Sequence, residues 1–270
     1  MLLVAQSSRP LAIKSLEVHF RVIGAILIRD MRSRFGRSHL TYLIAIGWPL
    51  SHLTGLVAAF TLVNRVLPFG TDSIVFITTG ALPYVLCLYP ARWMAMTFMQ
   101  NFAMLNFSVV HPVHMIVARM VLETLNCFTV VLIFTFALWA SGAEIEPQDI
   151  PTALLAMYAS VFFGISVGTF TIVLRAIFKM PGYYILILTM IGLYMSSGVY
   201  LPVAPSSEIM RTLVGLNPIY QLVQWTRSAF FETHTAVPLD KAYVLLLASF
   251  LLFIGLLGER LLRGRIVGSV

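Results

Sequence analysis

Of the 270 residues, 59% are hydrophobic and only 11% are charged, and the mean hydropathy is +0.89. Ordinary soluble chains are about half apolar and about a quarter charged, so this chain has too few charged side chains to cover a surface facing water, and a soluble globular domain is excluded. The net charge of +7 does not point to nucleic acid, because the basic residues flank apolar runs without the aromatic interleaving of a binding module. They suit the headgroups of an inner leaflet instead.

The opening MLLVAQSSRP has no basic start and too short an apolar run, so it is not expected to be a cleavable leader. Residues 14–35 form the first element. There Leu16, Phe20, Ile23, Leu27 and Met31 follow one helical face, with Glu17, Arg21, Arg29 and Arg32 opposite. An apolar stripe backed by a basic one describes an amphipathic helix lying in the membrane interface. A seventh span would put Glu17 and Arg21 at membrane depth, at about 3 kcal/mol each.

Arg29, Arg32, Arg34 and Arg37 then stand directly against a long uncharged stretch. A hydrocarbon core about 30 Å thick requires roughly 20 apolar residues in a helix. Six segments meet that requirement within a few residues: 42–63, 73–91, 120–140, 152–174, 183–201 and 242–262. They are continuously apolar and lack the alternation of barrel strands. The expected fold class is therefore an all-α polytopic membrane protein with six transmembrane helices behind the interfacial one, forming a single transmembrane domain over 1–270.

Two connections are too structured to be simple loops. Residues 92–119 are too polar for a span at Gln100, Asn101, Asn106, His111 and His114, and a short helix over 99–111 is expected there, ending at His111-Pro112. Between the fifth and sixth spans the chain is apolar but interrupted by Pro202, Pro205, Pro218 and Pro238, so neither half can cross. Asn217-Pro218 reads as an N-cap followed by proline at the first helical position. Two short re-entrant outer helices are expected over 203–231, backbone that a bilayer tolerates only where protein or a cavity receives it.

With six spans both termini share a side, and that side collects fourteen of the eighteen Lys and Arg residues. Only Arg65, Arg211, Arg227 and Lys241 fall on the other, so both termini are expected to be cytoplasmic. Cys87 and Cys127 both lie in spans and form no disulfide framework. No phosphate-binding loop, metal-ligand spacing or Ser-His-Asp set is present. Active transport by this chain would need energy from a partner.

The order of elements now carries a resemblance. The basic interfacial helix, RDMRSRFGRSHLTYL leading to Trp48-Pro49, the inner helix ending in His111-Pro112 and the outer SGVYLP…LNPIYQLVQWTRSAFF resemble the membrane subunit, or permease, of type 2 ATP-binding-cassette exporters. The resemblance covers essentially the whole chain and is strongest to the branch that exports capsular polysaccharide in Gram-negative bacteria.

It implies a homodimer in the bacterial inner membrane, powered by a separate cytoplasmic ATPase that binds the ATP and Mg, so that this chain is not itself an enzyme and holds no cofactor. It further implies a periplasmic adaptor and a lipid-linked, usually anionic polysaccharide as substrate. Arg34, Asn101, Leu105, Asn106 and Phe107 match the parts that would meet the ATPase. Another lipid-linked glycan, such as O-antigen or a teichoic-acid precursor, stays open, as does, more distantly, an ATP-independent channel or scaffold.

Sugar rings stack on aromatic faces, and an anionic polymer needs spaced cations. Tyr84, Tyr89, Arg92, Trp93, Phe98 and Tyr194 are the candidate channel residues, with Tyr183, Tyr200, Tyr220 and Trp225 behind them. The competing reading is an ordinary aromatic belt, with Arg92 and Arg119 as snorkelling anchors and Arg119 paired to Glu123 one turn on.

Overall fold

The computed structural model describes residues 11–35, 39–62, 73–143, 145–200, 207–231 and 237–268, and every regular element among them is a helix. The chain begins with α1 (Leu11–Phe35), α2 (His39–Leu62) and α3 (Ser73–Ala95). A short α4 (Thr97–Asn101) and a 3₁₀ turn (Phe102–Asn106) lead into α5 (Pro112–Ala140), followed by α6 (Ile150–Phe178) and α7 (Met180–Met195). The last part comprises α8 (Glu208–Gly215), α9 (Pro218–Arg227), α10 (Lys241–Leu261) and α11 (Arg263–Gly268). Four helices, α3, α5, α6 and α10, are long and apolar enough to cross a membrane; Ile46–Leu62 of α2 and the whole of α7 are apolar but shorter.

Helix α3 is the hub, buried over most of its length despite carrying Pro83 and Pro90. The close approach of α6 follows from small residues one turn apart. A Cβ added to Gly164 would lie 2.8 Å from the Cα of Cys87, and one added to Gly168 would lie 2.8 Å from the Cα of Ala91. Such small-residue faces replace the hydrophobic driving force that hydrocarbon cannot supply between helices. Cys87 Sγ closes the contact on Ser160 O at 3.1 Å. On its other side α6 meets α10, where a Cβ on Gly255 would come 2.8 Å from Phe170 N. The outer side of α5 carries exposed Leu125, Phe128, Leu132 and Phe136, a surface suited to lipid tails.

Three differences from the sequence expectation exceed four residues. The segment expected as one helix over 99–111 is α4, a 3₁₀ helix and then a turn closed by Val110 N on Phe107 O at 2.9 Å. Pro112 sets the next start: it holds His111 out of the helical region (φ −98°, ψ 150°) and itself occupies the first turn of α5, which thus begins eight residues before the expected 120. Helix α7 stops at Met195, because Ser196 and Ser197 turn their hydroxyls back on Gly192 O and Tyr194 O and Gly198 takes a positive φ of 73°. Residues 63, 201 and 203–206 of the expected elements lie outside the described residues.

Candidate functional site: an aromatic column and a buried charge network

Helix α3 sets the aromatic side chains of α2 and α7 in a column. Tyr84 and Tyr194 stack at 3.7 Å between ring centroids with 11° between planes, and Tyr194 meets Tyr200 edge-on at 5.3 Å. Phe60 of α2 stacks on Tyr200 at 5.4 Å. Toward the other end His52 lies edge-on to Tyr84 at 6.3 Å and to Tyr89 at 6.2 Å, with Tyr89 Oη 3.4 Å from His52 Nδ1. Three of the six sequence-selected channel residues, Tyr84, Tyr89 and Tyr194, belong to one ladder. His52 and Phe60 complete it; neither has a sequence signal beyond an ordinary apolar run.

The ladder is not an open platform in a single chain. Tyr84 and Tyr194 are 3% and 5% exposed, each covering the face of the other. Tyr89 and Tyr200 are half-buried. Arg92 continues the column by donating from Nε to Tyr183 Oη at 3.1 Å. Trp93, one residue on, points elsewhere: with Tyr89 and Glu123 it lines a small crevice of about 20 Å³. Phe98 is buried on α4 and is not part of the ladder.

Beneath Trp93 lies the least expected feature. Arg119, Asp30, Glu123 and Asn101 are all between 2% and 4% exposed. Arg119 Nη1 lies 3.4 Å from Asp30 Oδ2 and its Nε 3.6 Å from a Glu123 oxygen, while Nη2 donates to Gln100 Oε1 and Nε to Trp93 O. Its guanidinium stands 5.4 Å from the Trp93 ring. Asn101 Nδ2 donates to Asp30 at 3.1 Å, and Arg29 Nη1 donates to Asn101 Oδ1 at 2.9 Å. One network thus ties α1 to the end of α3, to α4 and to the start of α5. Charges out of water persist only when paired and hydrogen-bonded, and here the pairing partners come from four elements. The i,i+4 spacing of Arg119 and Glu123 was readable in the sequence; Asp30, hidden among arginines, was not.

The four described residues expected to meet an ATPase divide. Asn106 and Phe107 stand exposed, Phe107 at 61%, and Leu105 is half-buried, whereas Asn101 faces inward on Asp30 and Arg29. The fifth, Arg34, has its side chain outside the described residues.

At the opposite end α9 is buried along its whole length. Asn217 caps it as the sequence indicated, accepting from Ile219 N and Tyr220 N, and its Nδ2 reaches Leu193 O and Ser196 Oγ at 2.8 and 2.9 Å. Arg227, which the sequence offered only as an outer basic residue, is 3% exposed. Its guanidinium donates to Gly198 O and Val199 O and lies 3.9 Å from the Phe76 ring, pinning the turn after α7 onto α3. Among the described residues no group of three or more His, Cys, Asp or Glu side chains is placed to hold a metal ion.

Comparison with known proteins gives similarity along nearly the whole chain. A polysialic acid transport protein, KpsM of Escherichia coli, is 25% identical over 89% of this chain and 93% of its own length. The capsule polysaccharide export inner-membrane protein CtrC of Neisseria meningitidis serogroup A is 25% identical over 90% of this chain and 92% of its own. The CtrC of serogroup B is 28% identical over 57% of this chain and 58% of its own. No protein-family model matches the chain.

Proposed function

We propose that this chain is the permease of an ATP-driven exporter that moves a lipid-linked capsular polysaccharide across the bacterial inner membrane, working as a homodimer on a separate ATPase. The observation that carries the reading is similarity over about nine-tenths of the chain to a polysialic acid transport protein and to a capsule polysaccharide export inner-membrane protein. Six spans, the interfacial lie of α1, the re-entrant course of α8 and α9, cytoplasmic termini and a periplasmic adaptor belong to the same proposal. The gathering of Arg29, Arg92, Arg119, Arg175, Arg260 and Arg263 near the ends of helices supports the orientation.

In this reading the polymer slides along aromatic and cationic side chains toward the copy-to-copy axis. Tyr89, Arg92, Trp93 and Tyr200 retain exposed surface, enough to offer C–H stacking and weak ionic contacts. Tyr84 and Tyr194 would form the backing that holds the column rigid. Loose, repeated contacts suit a sliding polymer better than one deep site, because each must be left as readily as it is entered.

The ATPase would bear on Leu105, Asn106 and Phe107. A push there passes to α4, through Asn101 to α1, and through Gln100 and Arg119 to α5 and α3, since packed helices move as rigid bodies rather than deforming continuously. Cysteine at position 105 is expected to crosslink to the ATPase in membranes, and Leu105→Asp with Phe107→Asp is expected to abolish export with the protein still inserted. Failure of both would overturn the coupling assignment.

A further inference from the structure

A groove of about 880 Å³ opens between α1, α5 and the junction of α10 with α11, apart from both the column and the Asp30–Arg119 network. Its polar end is built by three histidines and the last turn of α10. His19 Nδ1 and His114 Nε2 lie 2.6 Å apart, and the His111 ring is 5.3 Å from that of His114. Across from them stand Glu259, Arg260 and Arg263. Glu259 is 1% exposed; Arg263 Nε takes its Oε1 at 3.1 Å, while Oε2 is buried without a donor among the described residues. A buried carboxylate oxygen lacking a donor is costly. The groove therefore presents an unfilled acceptor beside an anion-attracting edge.

The other wall is apolar. Phe20 and Val113 line it at 66% and 40% exposed, with Leu256 beyond. Phe253 and Leu257 of α10 and Val121 of α5, one turn along the same helices from lining residues, are exposed as well. A cleft polar at one end and open to an apolar surface at the other matches a lipid, not a free ion. Bare phosphate would satisfy Arg260 and the histidines but leave Glu259 without its donor. The occupant needs an anion and an N–H cation a few atoms apart.

We infer that this groove binds one phospholipid of the phosphoethanolamine class, its phosphate against Arg260 and the His19–His114 pair, its ammonium donating to Glu259, and its chains along Phe20, Val113 and Leu256. The inference does not depend on what the chain exports. Choline headgroups carry no N–H and cannot serve Glu259.

The full-length chain, purified from nanodiscs holding equal parts phosphatidylethanolamine and phosphatidylcholine, is assayed for retained lipid by native mass spectrometry. Wild-type protein is expected to retain the ethanolamine lipid about tenfold over the choline lipid, the worth of one charge-assisted hydrogen bond. Glu259→Gln is expected to bring the ratio to parity. A diazirine-headgroup phosphatidylethanolamine on the unmodified protein covers the case in which the variant fails to fold, and should label residues 19–23, 113–117 and 256–263. Equal retention by wild type, labels spread evenly over the outer helices, or displacement of the lipid by inorganic phosphate would overturn the assignment.

Discussion

Arg119 is held by groups from α1, α3, α4 and its own helix, so removing it takes a cation away from the buried Asp30 and Glu123 carboxylates. Breaking a buried pair in this way costs about 3–5 kcal/mol, and Arg119→Ala is expected to lower the thermal midpoint of the purified protein accordingly. Arg21→Ala makes the control: its pair with Glu17 is exposed, and such pairs are worth about 0–1 kcal/mol. A similar drop in both variants would contradict the network. Asp149 gives a pH prediction. The Thr152 hydroxyl and amide donate to it and Lys241 adds a cationic field, holding its carboxyl below the usual 3.8. A depressed carboxylate stabilises the fold above its unfolded value, and that contribution is lost as pH falls through the folded one. Thr152→Val, which removes the hydroxyl donor, should move this loss upward toward 3.8 in acid-limb unfolding. At this scale the sequence showed short-range partners only: Arg119 with Glu123 by spacing, and Asn217 as a cap. Asp30, 89 positions from Arg119, had no local signature.

Between elements, glycine decides how close α3, α6 and α10 come. Gly164→Ala puts a methyl group where the Cys87 backbone already stands, and overpacking of this kind costs about 1–3 kcal/mol. Gly192→Ala on α7 meets open space and should stabilise, by up to about 1 kcal/mol, through helix propensity. Denaturation of the two variants side by side checks the difference in sign. Apolar run length indicated where the long helices would lie, because a helix in hydrocarbon needs a minimum of apolar residues whatever it packs against. The same signal could not reveal which faces met, since all faces are apolar; the mean composition of α6 is uniform while its Gly164 and Gly168 set the geometry. The end of the stretch 99–111 is legible from Pro112, but its division into α4 and a 3₁₀ helix at Asn101 has no proline or glycine to mark it.

For the molecule as a whole, the arginine-rich helix ends and the near full-length similarity to a polysialic acid transport protein and a capsule polysaccharide export inner-membrane protein point the same way. Impermeant thiol reagents applied outside the cell are expected to label Glu146→Cys and to spare Lys179→Cys; labelling of the latter would sink the six-span orientation. The aromatic column was half legible: Tyr84, Tyr89 and Tyr194 stood out as polar aromatics in apolar runs, but their mutual stacking depends on the docking of α7 on α3, which no spacing encodes. The central claim is export of a polysaccharide, and its direct measurement is the location of that polymer in cells lacking this gene. Surface polysaccharide should vanish and polymer accumulate inside. Both should be restored by the wild-type chain and, with insertion verified, not by an Arg92→Ala, Trp93→Ala double variant. Unchanged surface polysaccharide in the deletion strain would contradict the account.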